Sequence, residues 1–99
     1  MSFKILTVCT GNICRSPSAE VILRARLAEA GLAAVEVDSA GTADYHIGEP
    51  PSDPAQRLAS RRGYDLSALR ARQVSASDFD DFDLILAMDR GHMSRLTRM

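Results

Sequence analysis

The segment that most restricts what this chain can become runs from Phe3 to Gly31. Phe3 to Val8 (FKILTV) is a short run rich in Ile, Val and Thr, suited to a strand buried on both faces. After CTGNICR the chain changes period. Ser16 is a good N-cap, Pro17 fits the first helical position, where its missing N–H costs nothing, and Ala19, Ile22, Leu23, Leu27 and Ala30 recur at helical spacing up to Gly31. The unit predicted is strand, loop, helix. No packing need accounts for two cysteines, a glycine, an asparagine and an arginine inside that loop, so a chemical one is worth pursuing.

The remainder follows the same grammar. VEVDSAGT alternates apolar and polar residues as a second strand does and ends at Gly41; the helical crossover before it makes its pairing with the first strand parallel. Beyond the Gly- and Pro-rich GEPPS, the segment DPAQRLASRRG reads as a helix with Asp53 as N-cap, Pro54 at the first position, Gln56 completing a capping box and Gly63 as the stop. SDFDDF predicts a short turn of helix, DLILAM a third buried strand, and DRGHMSRLTRM a further helix that starts at Asp89 and exposes His92. The order βαβ, α, α, β, α gives the fold class: α/β, an open parallel sheet with helices on both faces. Ninety-nine residues make one domain, residues 1–99. The last helix reaches Met99 with no glycine, asparagine or proline to stop it, and the expectation is a domain incomplete at its C-terminal side.

Composition narrows the function. With 45% apolar and 25% charged residues and no long apolar run, the chain reads as soluble, without a membrane partner; MSFKILTV lacks the features of a secretory signal, which makes the cytoplasm the expected location. Two cysteines five positions apart build no disulfide framework and offer no zinc spacing, so neither metal nor cofactor is expected. The net charge of −1 hides segregation: Arg57, Arg61, Arg62, Arg70 and Arg72 cluster, as do Asp78, Asp80, Asp81, Asp83 and Asp89. Aromatics are only 5%, too few for base stacking, so these clusters read as solvated faces and no nucleic acid partner is expected.

The loop from Cys9 to Arg15 lies where open α/β sheets bind ligands, beyond the carboxyl end of a strand. The following helix aims its unpaired N–H groups and the positive end of its dipole there, which favours an anion. Gly11 removes a Cβ from the approach, and Arg15 supplies a fork that holds two phosphate oxygens. The same field lowers the pKa of the Cys9 thiol, and a thiolate facing a fixed phosphorus attacks in line. The Cys-x5-Arg spacing alone arises by chance roughly one time in five in such a composition. Its position between a buried strand and a Pro-initiated helix adds the weight. A small buried hydrophobe at a strand end remains the alternative for Cys9. A nucleotide-binding P-loop is disfavoured, because GxxxxGK[ST] is absent and Lys4 is the only lysine.

VCTGNICRSPSAE resembles the signature of the low-molecular-weight protein tyrosine phosphatases, and the resemblance continues through VDSAGT, GEPPSDPA, RGYDLS, ARQV and FDLILAMDRGHMSRL. It implies a three-layer parallel sheet, four-stranded in the intact family with three strands present here. It further implies Cys9 as nucleophile and Arg15 as phosphate clamp, in a loop completed by Thr10, Gly11, Asn12, Ile13, Cys14 and Ser16. Within that loop Asn12 and Ser16 hold the backbone open and hydrogen-bond the thiolate, and Ser39 supports Asn12. Cys14 matches a second cysteine that forms a reversible disulfide with the nucleophile in members that possess it. Tyr45 and His46 fall at the substrate cleft.

Two departures accompany the resemblance. Leu69 stands where many members have a histidine bonded to the loop asparagine. The family's general acid, in an Asp-Pro-Tyr/Phe loop, lies beyond Met99; the one Asp-Pro here, Asp53-Pro54, reads as a helix start. The leading expectation is a phosphatase of phosphotyrosine proteins or small aryl phosphates. Its rivals are a phosphate-binding module without turnover and an arsenate reductase-like enzyme, the latter weakened by the lack of any cysteine after Cys14. A further expectation is that the isolated chain self-associates or swaps segments to cover its sheet.

Overall fold

The computed structural model describes residues 3–11, 15–32, 34–43 and 46–88. Asn12, Ile13, Cys14, Tyr45 and the helix expected from Asp89 with His92 lie outside the described residues. The elements, in chain order, are β1 (Lys4–Cys9), α1 (Arg15–Glu29), β2 (Glu36–Gly41), α2 (Asp53–Arg61), α3 (Asp78–Asp81) and β3 (Leu84–Ala87). They form a parallel three-stranded sheet of order β2-β1-β3, the α/β class expected.

Register sorts the side chains into two faces. Thr7 pairs with Ser39 and Cys9 with Gly41, while Leu6 pairs with Asp38 and Ile85, and Val8 with Ala40 and Ala87. Side chains alternate along a strand, so Ile5, Thr7, Cys9, Val37 and Ser39 share the face covered by α1. Leu6, Val8 and Ala40 point the other way, into a core with Val74, Phe82 and Ile85. Every residue of β1 from Ile5 to Cys9 is buried, as its β-branched run predicts for a central strand. A second core joins α2 to α1 through Ala55, Ala59 and Leu66, with Val21, Tyr64 and Leu69 against them.

Three local expectations need correction. The cap of α2 is Ser52, whose Oγ accepts from the Ala55 amide at 3.3 Å; Asp53 and Pro54 lie inside the first turn, and Gln56 donates back to the Pro51 carbonyl at 2.8 Å, so no capping box closes around Asp53. Helix α1 begins at Arg15, and Ser16 turns inward instead of capping. β3 is not a buried strand: Leu84 and Leu86 are 42% and 37% exposed, because they point to the α1 face while α1 lies over β1 and β2. Gly63 does stop α2, with φ at +85°, a conformation that glycine adopts without strain.

The charge clusters also differ from solvated faces. Asp78 is 4% exposed, and both its oxygens accept from the Arg72 guanidinium at 3.0 and 3.1 Å. Arg72 donates as well to Asp38 on β2 at 3.2 and 3.3 Å, which ties the start of α3 to the sheet. Burial opposes the charge on Arg72, but its two carboxylates outweigh that and raise its pKa.

Candidate active site

Cys9 ends β1 and is 4% exposed, with Thr10 exposed and Gly11 half-buried beyond it. The end of β2 fixes the start of the loop: the Thr42 amide donates to the Cys9 carbonyl at 2.9 Å and the Ala43 amide to the Thr10 carbonyl at 2.9 Å. Both donors depend on the parallel register that carries Gly41 level with Cys9. Arg15 opens α1 and lines a cleft of about 310 Å³ between α1 and α2, with Ser18, Ile22, Ala59, Arg62 and Tyr64.

Among the described residues, Ser16 meets the thiol: its Oγ lies 2.9 Å from Cys9 Sγ. Ser16 is fully buried and doubly anchored, its carbonyl accepting from Thr7 Oγ1 at 2.8 Å and its hydroxyl lying 3.4 Å from the Ala40 carbonyl. Ser16 has one hydroxyl proton, directed either to the Ala40 carbonyl at 3.4 Å or to Cys9 Sγ at 2.9 Å, and the shorter contact is the one to sulfur. Donated to sulfur, that proton stabilises a thiolate, and the positive end of the α1 dipole acts in the same sense. The structure thus brings Cys9, at the end of β1, into contact with Ser16, at the head of α1, although seven positions separate them.

Ser39, expected to support the loop, points to the α1 face and donates to Glu20 Oε1 at 2.7 Å. Glu20 is 3% exposed, is paired with Arg24, and was not anticipated from the sequence. Arg24 donates in addition to the Val37 carbonyl at 2.9 Å. The signal was present as spacing, since Ser16, Glu20 and Arg24 stand four residues apart on one helix face. His46 Nδ1 lies 2.7 Å from Glu49 Oε2, in a loop held to Ala71 by reciprocal backbone bonds of 2.8 Å. Leu69, at the position of the absent histidine, packs against the Ala55, Ala59 and Leu66 cluster of α2. Among the described residues no group of three His, Cys, Asp or Glu side chains stands close enough to hold a metal ion, and no helix is long and apolar enough to cross a membrane.

Comparison with known proteins agrees with this geometry. The family model for low molecular weight phosphotyrosine protein phosphatases matches residues 4–99. The chain is 47% identical over 96 residues to the low molecular weight protein-tyrosine-phosphatase YfkJ of Bacillus subtilis, a match that covers 96% of this chain and 62% of the relative. It is 45% identical over 100 residues to a low molecular weight protein-tyrosine-phosphatase of Streptomyces coelicolor, covering 100% of this chain and 60% of that protein. The crystal structure of YfkJ superposes with a TM-score of 0.96 at 45% identity, covering 100% of this chain and 63% of that one. The chain therefore spans about three fifths of the length of these relatives.

Proposed function

Because this chain belongs to the low molecular weight phosphotyrosine protein phosphatase family, we propose that residues 1–99 carry the nucleophilic half of a phosphatase acting on phosphotyrosine proteins or small aryl phosphates. The observation that carries this reading is the 2.9 Å contact between Cys9 Sγ and Ser16 Oγ at the carboxyl end of β1 and the head of α1. Cys9 attacks phosphorus as the thiolate. An S–P bond forms while the bond to the aryl oxygen breaks, and the phenolate leaves and takes up a proton. Water then attacks the phosphocysteine, returning the thiolate and releasing inorganic phosphate. Arg15 and the loop amides neutralise the phosphoryl oxygens, and no metal or cofactor is called for. In this reading Asn12 shapes the loop, Cys14 is the redox partner of Cys9, and Tyr45 with His46 borders the cleft.

The setting proposed is the cytoplasm, where reducing conditions keep Cys9 a thiol. Self-association belongs to the same proposal, since Leu84 and Leu86 stand exposed on β3; sedimentation of the 99-residue chain as a compact monomer would refute that part.

The test of activity is hydrolysis of p-nitrophenyl phosphate beside phosphotyrosine, with Cys9→Ser as control. Nitrophenolate departs unaided, whereas a phenolate of conjugate-acid pKa about 10 is helped roughly 10²- to 10⁴-fold by a proton donor. The expected result is Cys9-dependent turnover of p-nitrophenyl phosphate. Vanadate binding without any Cys9-dependent burst of nitrophenolate would replace the phosphatase with a phosphate-binding module.

A further inference from the structure

We infer that Glu20, held by Arg24, is a positioning residue for the Cys9 nucleophile, an inference that rests on the phosphatase reading of this site. A glutamate at 3% exposure in the second turn of a helix is a costly choice unless its charge is fully answered. Here it is answered on both oxygens, by Ser39 Oγ at 2.7 Å and by the Arg24 guanidinium. Ser39 and Arg24 bond to Glu20, and Arg24 also to the Val37 carbonyl, so the consequence of these bonds for the thiol comes through geometry.

Ser16 and Glu20 lie one turn apart on the buried face of α1, and both bond to the sheet beneath. Ser16 meets β1 through Thr7, and Glu20 meets β2 through Ser39, the residue paired with Thr7 in register. Arg24, a further turn along, reaches the Val37 carbonyl of the same strand. Three successive turns of α1 are thus fastened to the sheet on the face that carries Cys9. A helix fastened at one turn can still roll about its axis or slide along it. Fastened at three, it sets the Ser16 hydroxyl at one distance from Cys9 Sγ.

The proton direction adds to this. An ionised carboxylate only accepts, so the single Ser39 hydroxyl proton is committed to Glu20, and Ser39 offers only its lone pairs to its other neighbours. Glu20→Gln keeps the shape of the side chain, removes the charge that Arg24 holds, and permits the Ser39 bond to reverse.

The experiment is alkylation of Cys9 by iodoacetamide at pH 6, followed by mass spectrometry of the Cys9 peptide, with inorganic phosphate as the protecting ligand. Wild type, Glu20→Gln, Arg24→Gln, Ser16→Ala and the Glu20→Gln, Ser16→Ala double variant are compared, each with its melting temperature. The expected result is a rate about tenfold lower or more in Glu20→Gln and in Ser16→Ala, the equivalent of one hydrogen bond to the charged thiolate. The double variant should react no more slowly than Ser16→Ala alone, because Glu20 acts through Ser16. Arg24→Gln, at a side chain 53% exposed, leaves the Glu20 charge only partly answered, so its rate should fall in the same direction, with the melting temperature separating this from a loss of fold.

Equal alkylation rates in wild type, Glu20→Gln and Arg24→Gln, with phosphate protecting all three, would overturn the positioning role and leave the phosphatase reading standing. Additive losses in the double variant would also overturn it. Wild-type Cys9 reacting as an ordinary thiol, unprotected by phosphate, would overturn both together.

Discussion

Replacing Asp78 by asparagine removes one charge from a buried carboxylate with little change of shape. The wild-type side chain is 4% exposed and accepts two parallel bonds from Arg72, at 3.0 and 3.1 Å, and one from the Ser75 amide at 2.7 Å. A hydrogen bond to a charged group contributes about 1.5–3 kcal/mol net. The Arg72 side chain is 35% exposed and keeps Asp38, so water recovers part of what is lost. One bond lost outright and a second weakened gives about 2–3 kcal/mol, which in a domain of this size lowers Tm by roughly 10–20 °C. Burial pushes the Asp78 carboxyl up, but Arg72 and the Ser75 amide outweigh it and hold its pKa below the usual carboxylate range. A depressed folded pKa means that the stabilisation is fully present above the unfolded value of about 3.9 and is lost as pH falls through the folded value. Urea unfolding followed by circular dichroism should therefore show the full gap between wild type and Asp78→Asn at pH 7 and a narrower one near pH 3. A gap under about 0.5 kcal/mol at pH 7, or one of equal size at both pH values, would refute the assignment.

Three other outcomes are expected. Leu66, 1% exposed against Ala55 and Ala59, should cost about 3 kcal/mol on truncation to alanine, read as a lower urea midpoint with an unchanged slope. Gly63→Ala should cost about 1 kcal/mol even though a Cβ there meets nothing within 4 Å, since φ of +85° strains any residue with a Cβ; an unchanged midpoint would contradict this. Arg15→Lys retains the charge and loses the planar fork, so phosphate should protect Cys9 from alkylation about tenfold less well, with the melting temperature unaltered.

The central unit of the fold is legible from residues 3 to 31 because each signal in it is local. A β-branched run, a loop with glycine and a proline near a helix start need no knowledge of the rest of the chain. The same locality placed Cys9, Arg15 and Ser16 around one loop, and the helical crossover was enough to require that β1 and β2 run parallel. What stayed hidden is what depends on which faces meet. Ser16 looks like a cap in the sequence, yet its hydroxyl faces Cys9 once α1 lies on the sheet. The burial of Glu20 comes about when the register brings Ser39, 19 positions away, beneath it. Arg72 and Asp78 look like members of two surface clusters until Asp38, 34 positions from Arg72, completes their network. Leu84 and Leu86 carry the composition of a buried strand and are left exposed by the reach of α1. Periodicity and turn residues are written in neighbouring positions, so the sequence alone determined the order of the described strands and helices and the loop in which Cys9 and Arg15 fall. The partners of a buried charge are chosen by packing between distant segments, and only the tertiary structure decided those.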